Sequence, residues 1–316
     1  MVIIFLAITK LFFIIFLGFY LYRRKILKEE ALNFLTTFVI NISIPFLIFS
    51  NIITHFQPDK MPSPLVFIAL SVGIFILGLF LGILFSLSVQ KSTRREFITL
   101  TSFQNCGYLP MNIAVFLLTS PARETFLTYI FLYILGFNIL MWSVATFFIF
   151  KKKEEKFKMK SILTPPILGT VISLAIVYTG LQKIIPPVVI APVEAIGQTS
   201  FVLSMIILGA WLAKSAVKSY LYSLSAWGMA IIKLVLLPAI VFSIIIHNSI
   251  YSLLGMFIIL EASMPSAASL PIVVNLRGGD SKFISYGVFI THAISLITVP
   301  LWIELFLKVS NLGIIK

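Results

Sequence analysis

Ten apolar segments, each near or above the roughly 20 residues that a helix needs to cross a bilayer, follow one another with short polar gaps between them. They run approximately over 2–22, 31–53, 64–89, 97–118 and 125–150 in the first half. In the second half they run over 162–181, 189–213, 221–247, 251–274 and 283–307. This pattern predicts an all-α polytopic membrane protein with ten transmembrane helices. The hydrophilic connector Lys151–Lys160 separates a first unit, 1–150, from a second, 161–316.

The gaps set the orientation. Of the 24 lysines and arginines, 17 follow odd-numbered segments, five follow even-numbered ones or the last, and Lys10 and Lys233 lie within segments. Basic residues stay on the cytoplasmic side. Both termini are therefore expected outside and the connector inside, in a multi-pass protein of the cell membrane. Five spans per half is an odd number, so the halves would enter the bilayer in opposite directions. Landmarks recur at a separation of roughly 155 to 160 residues, Pro110 with Pro265 and Arg123-Glu124 with Asp280-Ser281. That is the pattern of two inverted five-helix repeats.

Segments four and nine carry prolines in their middles, within Gln104-Asn105-Cys106-Gly107-Tyr108-Leu109-Pro110 and Glu261-Ala262-Ser263-Met264-Pro265-Ser266. Proline donates no backbone hydrogen bond and clashes with the preceding turn. In hydrocarbon the freed groups are costly unless protein or trapped water satisfies them. Both segments are predicted to break and to cross side by side near the midplane. The first would end one half-helix near Gly107 and start the next near Met111; the second would break between Met264 and Pro271. Half-helix N-termini suit an anion and freed carbonyls suit a cation. The amides of Gln104 and Asn105, with Gly107 and Pro110, and the hydroxyls of Ser263 and Ser266, with Pro265, are the expected substrate contacts. Asn41 and Ser43, ahead of Pro45, are candidates for the same cavity.

Glu261 is the carboxylate in the middle of a span, and Lys233 is the comparably deep cation. Intramembrane charges cost at least about 2.5–3.5 kcal/mol at a helix centre and are commonly functional. Glu261 would bind a coupling ion, a proton or sodium, or pair with Lys233; Lys233 would attract an anionic substrate or neutralise Glu261. Lys10 and Glu304, nearer helix ends, can snorkel. His55, His247 and His292 read as structural or interfacial, and Trp142, Trp211 and Trp302 as interface residues.

Composition agrees with this: 59% of residues are hydrophobic, 11% are charged, and mean hydropathy is +1.08. The net charge of +13 sits in the gaps, which argues for membrane topology and not for nucleic acid. Cys106 is the single cysteine, so no intrachain disulfide is expected. The first apolar run has no basic region before it and reads as a first span, not a removed signal peptide. Aspartate occurs only at Asp59 and Asp280, and no metal-protease, phosphate-loop or nucleophile-elbow motif is present. No enzyme activity, metal or organic cofactor is expected. The expected function is secondary transport of a small organic anion, with a channel or membrane receptor on the same fold as the alternative. The expected partners are that anion and the lipid bilayer, and a homodimer is compatible with the sequence.

Several stretches resemble the auxin efflux carrier family of membrane transporters: Leu32-Asn33 with Ile44-Pro45, 105–111, Lys233-Leu234 with Leu237-Pro238, Ala262–Ala267, and Ser295–Trp302. The resemblance implies a ten-helix inverted repeat with two crossing broken helices, similar in fold to sodium/bile-acid symporters, and a scaffold bundle that moves against a panel. It would put Asn105, Pro110 and Pro265 at the crossover beside the substrate. Family members in plants export indole-acetate, and prokaryotic relatives are described as dicarboxylate carriers. The auxin-transporting plant proteins have a long central cytoplasmic loop, whereas the connector here is short. Glu261 falls where the bile-acid symporters place a sodium-binding carboxylate.

Overall fold

The computed structural model describes residues 2–141, 163–215, 224–271 and 281–312, and the regular structure in them is helical throughout. The connector 151–160, Trp142 and the continuation of segment nine over 272–274 lie outside the described residues. The helices are α1 (Val2–Arg23), α2 (Glu29–His55), α3 (Pro64–Ser86), α4 (Arg94–Ser102), α5 (Tyr108–Leu117) and α6 (Ala122–Leu140). After the connector come α7 (Pro165–Tyr178), α8 (Pro187–Ser215), α9 (Leu224–His247), α10 (Leu253–Ser263) and α11 (Ser281–Ser310). Among the described residues α1, α2, α3, α8, α9 and α11 are long and apolar enough to cross a membrane; α5, α7 and α10 are apolar but shorter.

Local chemistry explains most boundaries. Ser63 accepts the N–H of Leu65 ahead of α3, and Pro64 fills the first helical position, where a missing N–H costs nothing. Inside α2 and α9 a proline cannot be avoided so cheaply. Each helix widens into a π turn just before it, Val39–Ser43 ahead of Pro45 and Ile232–Leu236 ahead of Pro238. The wider turn makes room for the ring and reroutes the hydrogen bonds that proline cannot make. Pro238 also leaves the Leu234 carbonyl without its usual donor, and the indole Nε1–H of Trp302 donates to that oxygen at 2.9 Å. Trp302 is thus a bonded packing residue between α11 and α9 and does more than mark an interface.

The helices pack in two groups. In one, α1 lies along α8, and α2 packs on α7 and α8. In the other, α3 packs on α4 and α6, and α9, α10 and α11 pack on one another. Close approach in the first group depends on absent side chains. A Cβ on Gly209 would lie 1.8 Å from the Ile15 carbonyl oxygen, and one on Gly18 would lie 2.1 Å from that of Ile206. Without a hydrophobic driving force in lipid, such backbone contact supplies the van der Waals packing that holds helices together. Large apolar side chains such as Phe13, Leu65, Phe80 and Ile231 point outward. A water-soluble surface would not carry so many; a lipid-facing one does.

Segment four does not break where the sequence suggested. Helix α4 stops at Ser102 and α5 starts at Tyr108, so the irregular stretch begins about a turn earlier than expected. Pro110 therefore sits in the first turn of α5, where proline is tolerated, and not in the gap. In segment nine, α10 ends at Ser263 and Pro265 lies in the irregular stretch that follows.

Gly209→Ala is expected to force α1 and α8 apart, lowering stability by about 3 kcal/mol or more, at the upper end of overpacking penalties. Gly228→Ala, with open space at its Cβ, should leave the melting temperature of the detergent-purified protein unchanged. Trp302→Phe should lower stability by about 1–2 kcal/mol by orphaning the Leu234 carbonyl; thermal melts check both.

Candidate functional site

The two irregular stretches pair with each other. Gln104 and Ser266 form an antiparallel bridge; the Asn105 N–H donates to the Pro265 carbonyl at 2.7 Å, and the Ala267 N–H to that of Phe103 at 3.0 Å. Backbone groups released by the breaks thus satisfy one another. Neighbouring helices supply the remaining partners. The Ser266 N–H reaches Thr291 Oγ1 of α11 at 3.3 Å, and Ser266 Oγ donates to the Leu100 carbonyl at 2.7 Å. Ser263 Oγ turns back to Leu260 O at 2.8 Å. These two hydroxyls are spent on the backbone.

Lys233 is fully buried, and its Nζ donates to the Thr101 carbonyl at 3.0 Å. A cation at a helix C-terminus meets the negative end of the dipole, so Lys233 caps α4. It is not part of the cavity wall. Glu261 is also fully buried, and neither carboxylate oxygen has a hydrogen-bond partner. The direct pairing of Glu261 with Lys233, one of the two sequence readings, is not made; the two charges act on each other only across space. An unpartnered buried carboxylate is an expensive group that calls for a proton or a cation.

Beside the paired stretches lies a cavity of about 230 Å³ between the two helix groups. One wall is Ile40 and Ile44 of α2 with Thr164 and Pro166 at the start of α7. The other is Gln104, Asn105 and Gly107 with Tyr108 and Met111 of α5, and Phe131, Ile134, Phe137 and Asn138 of α6. Three of the residues expected from sequence, Gln104, Asn105 and Gly107, therefore share this cavity. Pro110, Pro265, Ser263, Ser266, Lys233 and Glu261 are buried and are not among its lining residues. Ile40 and Ile44, four residues apart on one helix face, occupy the place expected for Asn41 and Ser43. Ser43 instead meets Thr199 of α8 at 3.0 Å, and Asn41 is exposed.

Among the described residues no charged side chain lines the cavity. Its polarity comes from the N-terminus of α5, from the amides of Gln104, Asn105 and Asn138, and from the Thr164 hydroxyl. Gly107, at the N-cap, offers no side-chain acceptor, and the N–H groups of Gly107, Tyr108 and Leu109 find no acceptor among the described residues. Pro110 has no N–H to satisfy. An uncapped helix start of this kind attracts negative charge. Gln104 Nε2 donates to the Tyr133 hydroxyl while its Oε1 stays unpartnered. Asn105 Nδ2 lies 3.0 Å from His292 Nε2 of α11. Sequence reasoning missed this histidine, the aromatic wall from α6 and Tyr133. Nothing in a linear pattern of apolar residues distinguishes a cavity-facing phenylalanine from a lipid-facing one.

A second cavity, about 270 Å³, lies at the far end of α2. Asn51, His55, Arg123, Glu124, Glu194 and Gln198 line it. Arg123 and Glu124 form an ion pair at 2.6 Å, and Thr128 donates to Asn51 Oδ1 at 2.7 Å.

The profile of the membrane transport protein family matches residues 3–160 and 154–303, nearly the whole chain. An uncharacterized transporter of Methanocaldococcus jannaschii is 27% identical over 303 residues, covering 92% of this chain and 94% of the relative. With matches of that extent over spans that read as membrane-crossing, the chain belongs to the membrane transport protein family, the auxin efflux carrier family that its motifs resemble.

Proposed function

We propose that the protein is a secondary carrier for a small organic anion in the cell membrane, working by alternating access between its two helix groups. The observation that carries this reading is the cavity between the groups, mostly apolar and without a charge among its described lining residues, where the uncapped start of α5 and the Asn105 amide meet. A carboxylate would be held by backbone dipoles and the amide, and its organic body by Phe131, Phe137 and Met111. Lys233 would add positive potential from behind α4. The chain would make ten passes as two inverted five-helix repeats, with segments four and nine crossing where they are interrupted. Both termini would be extracellular and the 151–160 connector cytoplasmic. The cavity flanked by Thr164 and Met141 would then open inward, and the polar cavity near His55 and Arg123 would open outward.

Glu261 would hold the coupling cation where transport is coupled to one. Two unpartnered oxygens at full burial support that role, as does the cost of leaving such a charge uncompensated.

In proteoliposomes carrying a panel of carboxylates, the wild type should show saturable uptake and counterflow; single-channel currents would indicate the channel reading instead. Asn105→Ala should weaken anion binding about 10-fold or more, one charge-assisted hydrogen bond being worth about 1.5–3 kcal/mol, with folded yield intact. Unchanged binding would remove Asn105 from the site. Glu261→Gln should abolish uptake driven by an imposed sodium gradient while leaving counterflow in place. A wild type that ignores sodium would assign Glu261 to structure.

A further inference from the structure

His292 reaches the cavity wall through one contact, and that contact fixes the direction of the Asn105 amide. The ring is fully buried in α11. Its Nδ1 lies 2.8 Å from the Val288 carbonyl oxygen. A carbonyl can only accept, so Nδ1 carries the proton of the neutral ring and Nε2 is an acceptor. Nε2 therefore takes an N–H from Asn105 Nδ2, 3.0 Å away. The backbone of Asn105 is held by the Pro265 carbonyl, and a half-turn about its terminal bond exchanges the amide's nitrogen and oxygen in place. With its nitrogen committed to His292, Oδ1 has no donor among the described residues. That oxygen is the wrong group to show an anion.

We infer that His292 is a positioning residue that couples one proton to anion binding by turning the Asn105 amide over. This rests on the reading of the cavity as an anion site. When Nε2 takes a proton from water, both ring nitrogens become donors. Nδ1–H keeps Val288, and Nε2–H needs an acceptor, which Oδ1 of the turned amide provides. Asn105 Nδ2 is released to donate to the anion. No other bond forms or breaks, and the proton returns to water when the anion leaves. A buried imidazolium without a counter-charge is costly, and so is a carboxylate beside an amide oxygen. Each ligand removes the other's penalty, so the coupling is reciprocal.

The surrounding charges leave this exchange to the two residues. Helix α11 packs against α1, α4, α8, α9 and α10. Those helices carry Lys10, Tyr20, Tyr22 and Arg23, then Arg94, Arg95 and Glu96, then Glu194 and Lys214, then Lys233 and His247, then Glu261. Helix α11 itself carries Lys282, Tyr286, Glu304 and Lys308. None of them hydrogen-bonds the His292 ring, whose partners are Asn105 and Val288. Of the two buried carboxylates among them, Glu96 and Glu261, Glu261 has no hydrogen-bond partner on either oxygen.

The chain has three histidines, so replacing His55 and His247 by Gln leaves His292 as the sole imidazole for nitrogen NMR of the purified protein. Without anion, the neutral ring should carry its proton on Nδ1; with benzoate bound, it should become an imidazolium. By calorimetry at pH values where benzoate stays ionised, one proton should be taken up per benzoate, and Kd should rise about tenfold per pH unit. His292→Gln, whose Oε1 replaces the Nε2 acceptor, should bind benzoate with a pH-independent Kd, while Glu261→Gln keeps the slope. A ring protonated on Nε2, a flat wild-type profile, or a slope that survives His292→Gln would overturn the proposal. If that variant does not fold, the wild-type tautomer and proton uptake decide. Benzoate binding without pH dependence sinks this proposal alone; no benzoate binding at any pH sinks the anion site and the proposal together.

Discussion

Peptide groups set free inside an apolar interior have to be bonded, and that constraint organises this molecule. Each unpaired N–H or C=O removed from water costs on the order of several kcal/mol. Two interrupted segments release many such groups at one depth. The short pairing of 103–105 with 265–267 absorbs the first of them. Lys233 on Thr101, Ser266 on Leu100 and Thr291 on Ser266 absorb others. Few of these partners are near in sequence, so the break in one segment is stable only because the other half of the chain is folded against it. Of the N–H groups left over at the start of α5, those of Gly107 and Tyr108 belong to residues that line the cavity. The site is what remains after the backbone has been satisfied nearly everywhere else.

The same accounting explains side chains that look functional and are spent on structure. Lys233 is the deepest cation, yet its amino group belongs to the C-terminus of α4. Ser263 and Ser266 carry hydroxyls at the second break, yet both donate to carbonyls. Trp302 answers a carbonyl freed by Pro238 more than sixty residues earlier in the chain. Glu261 stands apart, because neither of its oxygens finds a donor. That bare carboxylate is the group the proposed coupling cation would answer.

Packing divides the molecule where motion would have to occur. Helices α1 and α8 meet backbone to backbone at Gly18 and Gly209, a contact that leaves no room for sliding. The cavity lies instead between that group and the helices that carry the paired stretches. The walls there are isoleucine, phenylalanine and methionine, contacts without fixed direction that can shift and re-form.

Much of the architecture was legible in the chain. Segment lengths, the distribution of basic residues and the prolines indicated an all-helical membrane protein with two polar interruptions, because bilayer thickness and the lost proline N–H act locally. Gln104, Asn105 and Gly107, which line the cavity, could be named as candidates since they flank such a break. The limits are physical too. Where α4 ends depends on which residues can pair with 265–267, so the break began at Phe103 and Pro110 fell harmlessly inside α5. Which face of α2 and α6 lines the cavity depends on neighbours, since lipid and protein interior are equally apolar; Ile40 and Ile44 took the place expected for Asn41 and Ser43. His292 read as a structural histidine because its partner lies 187 residues away. The sequence by itself determined that the chain is helical, membrane-crossing and interrupted. Only the tertiary structure decided which polar groups meet at the interruption, because hydrogen bonds across distant segments are set by three-dimensional packing and leave no local period in the chain.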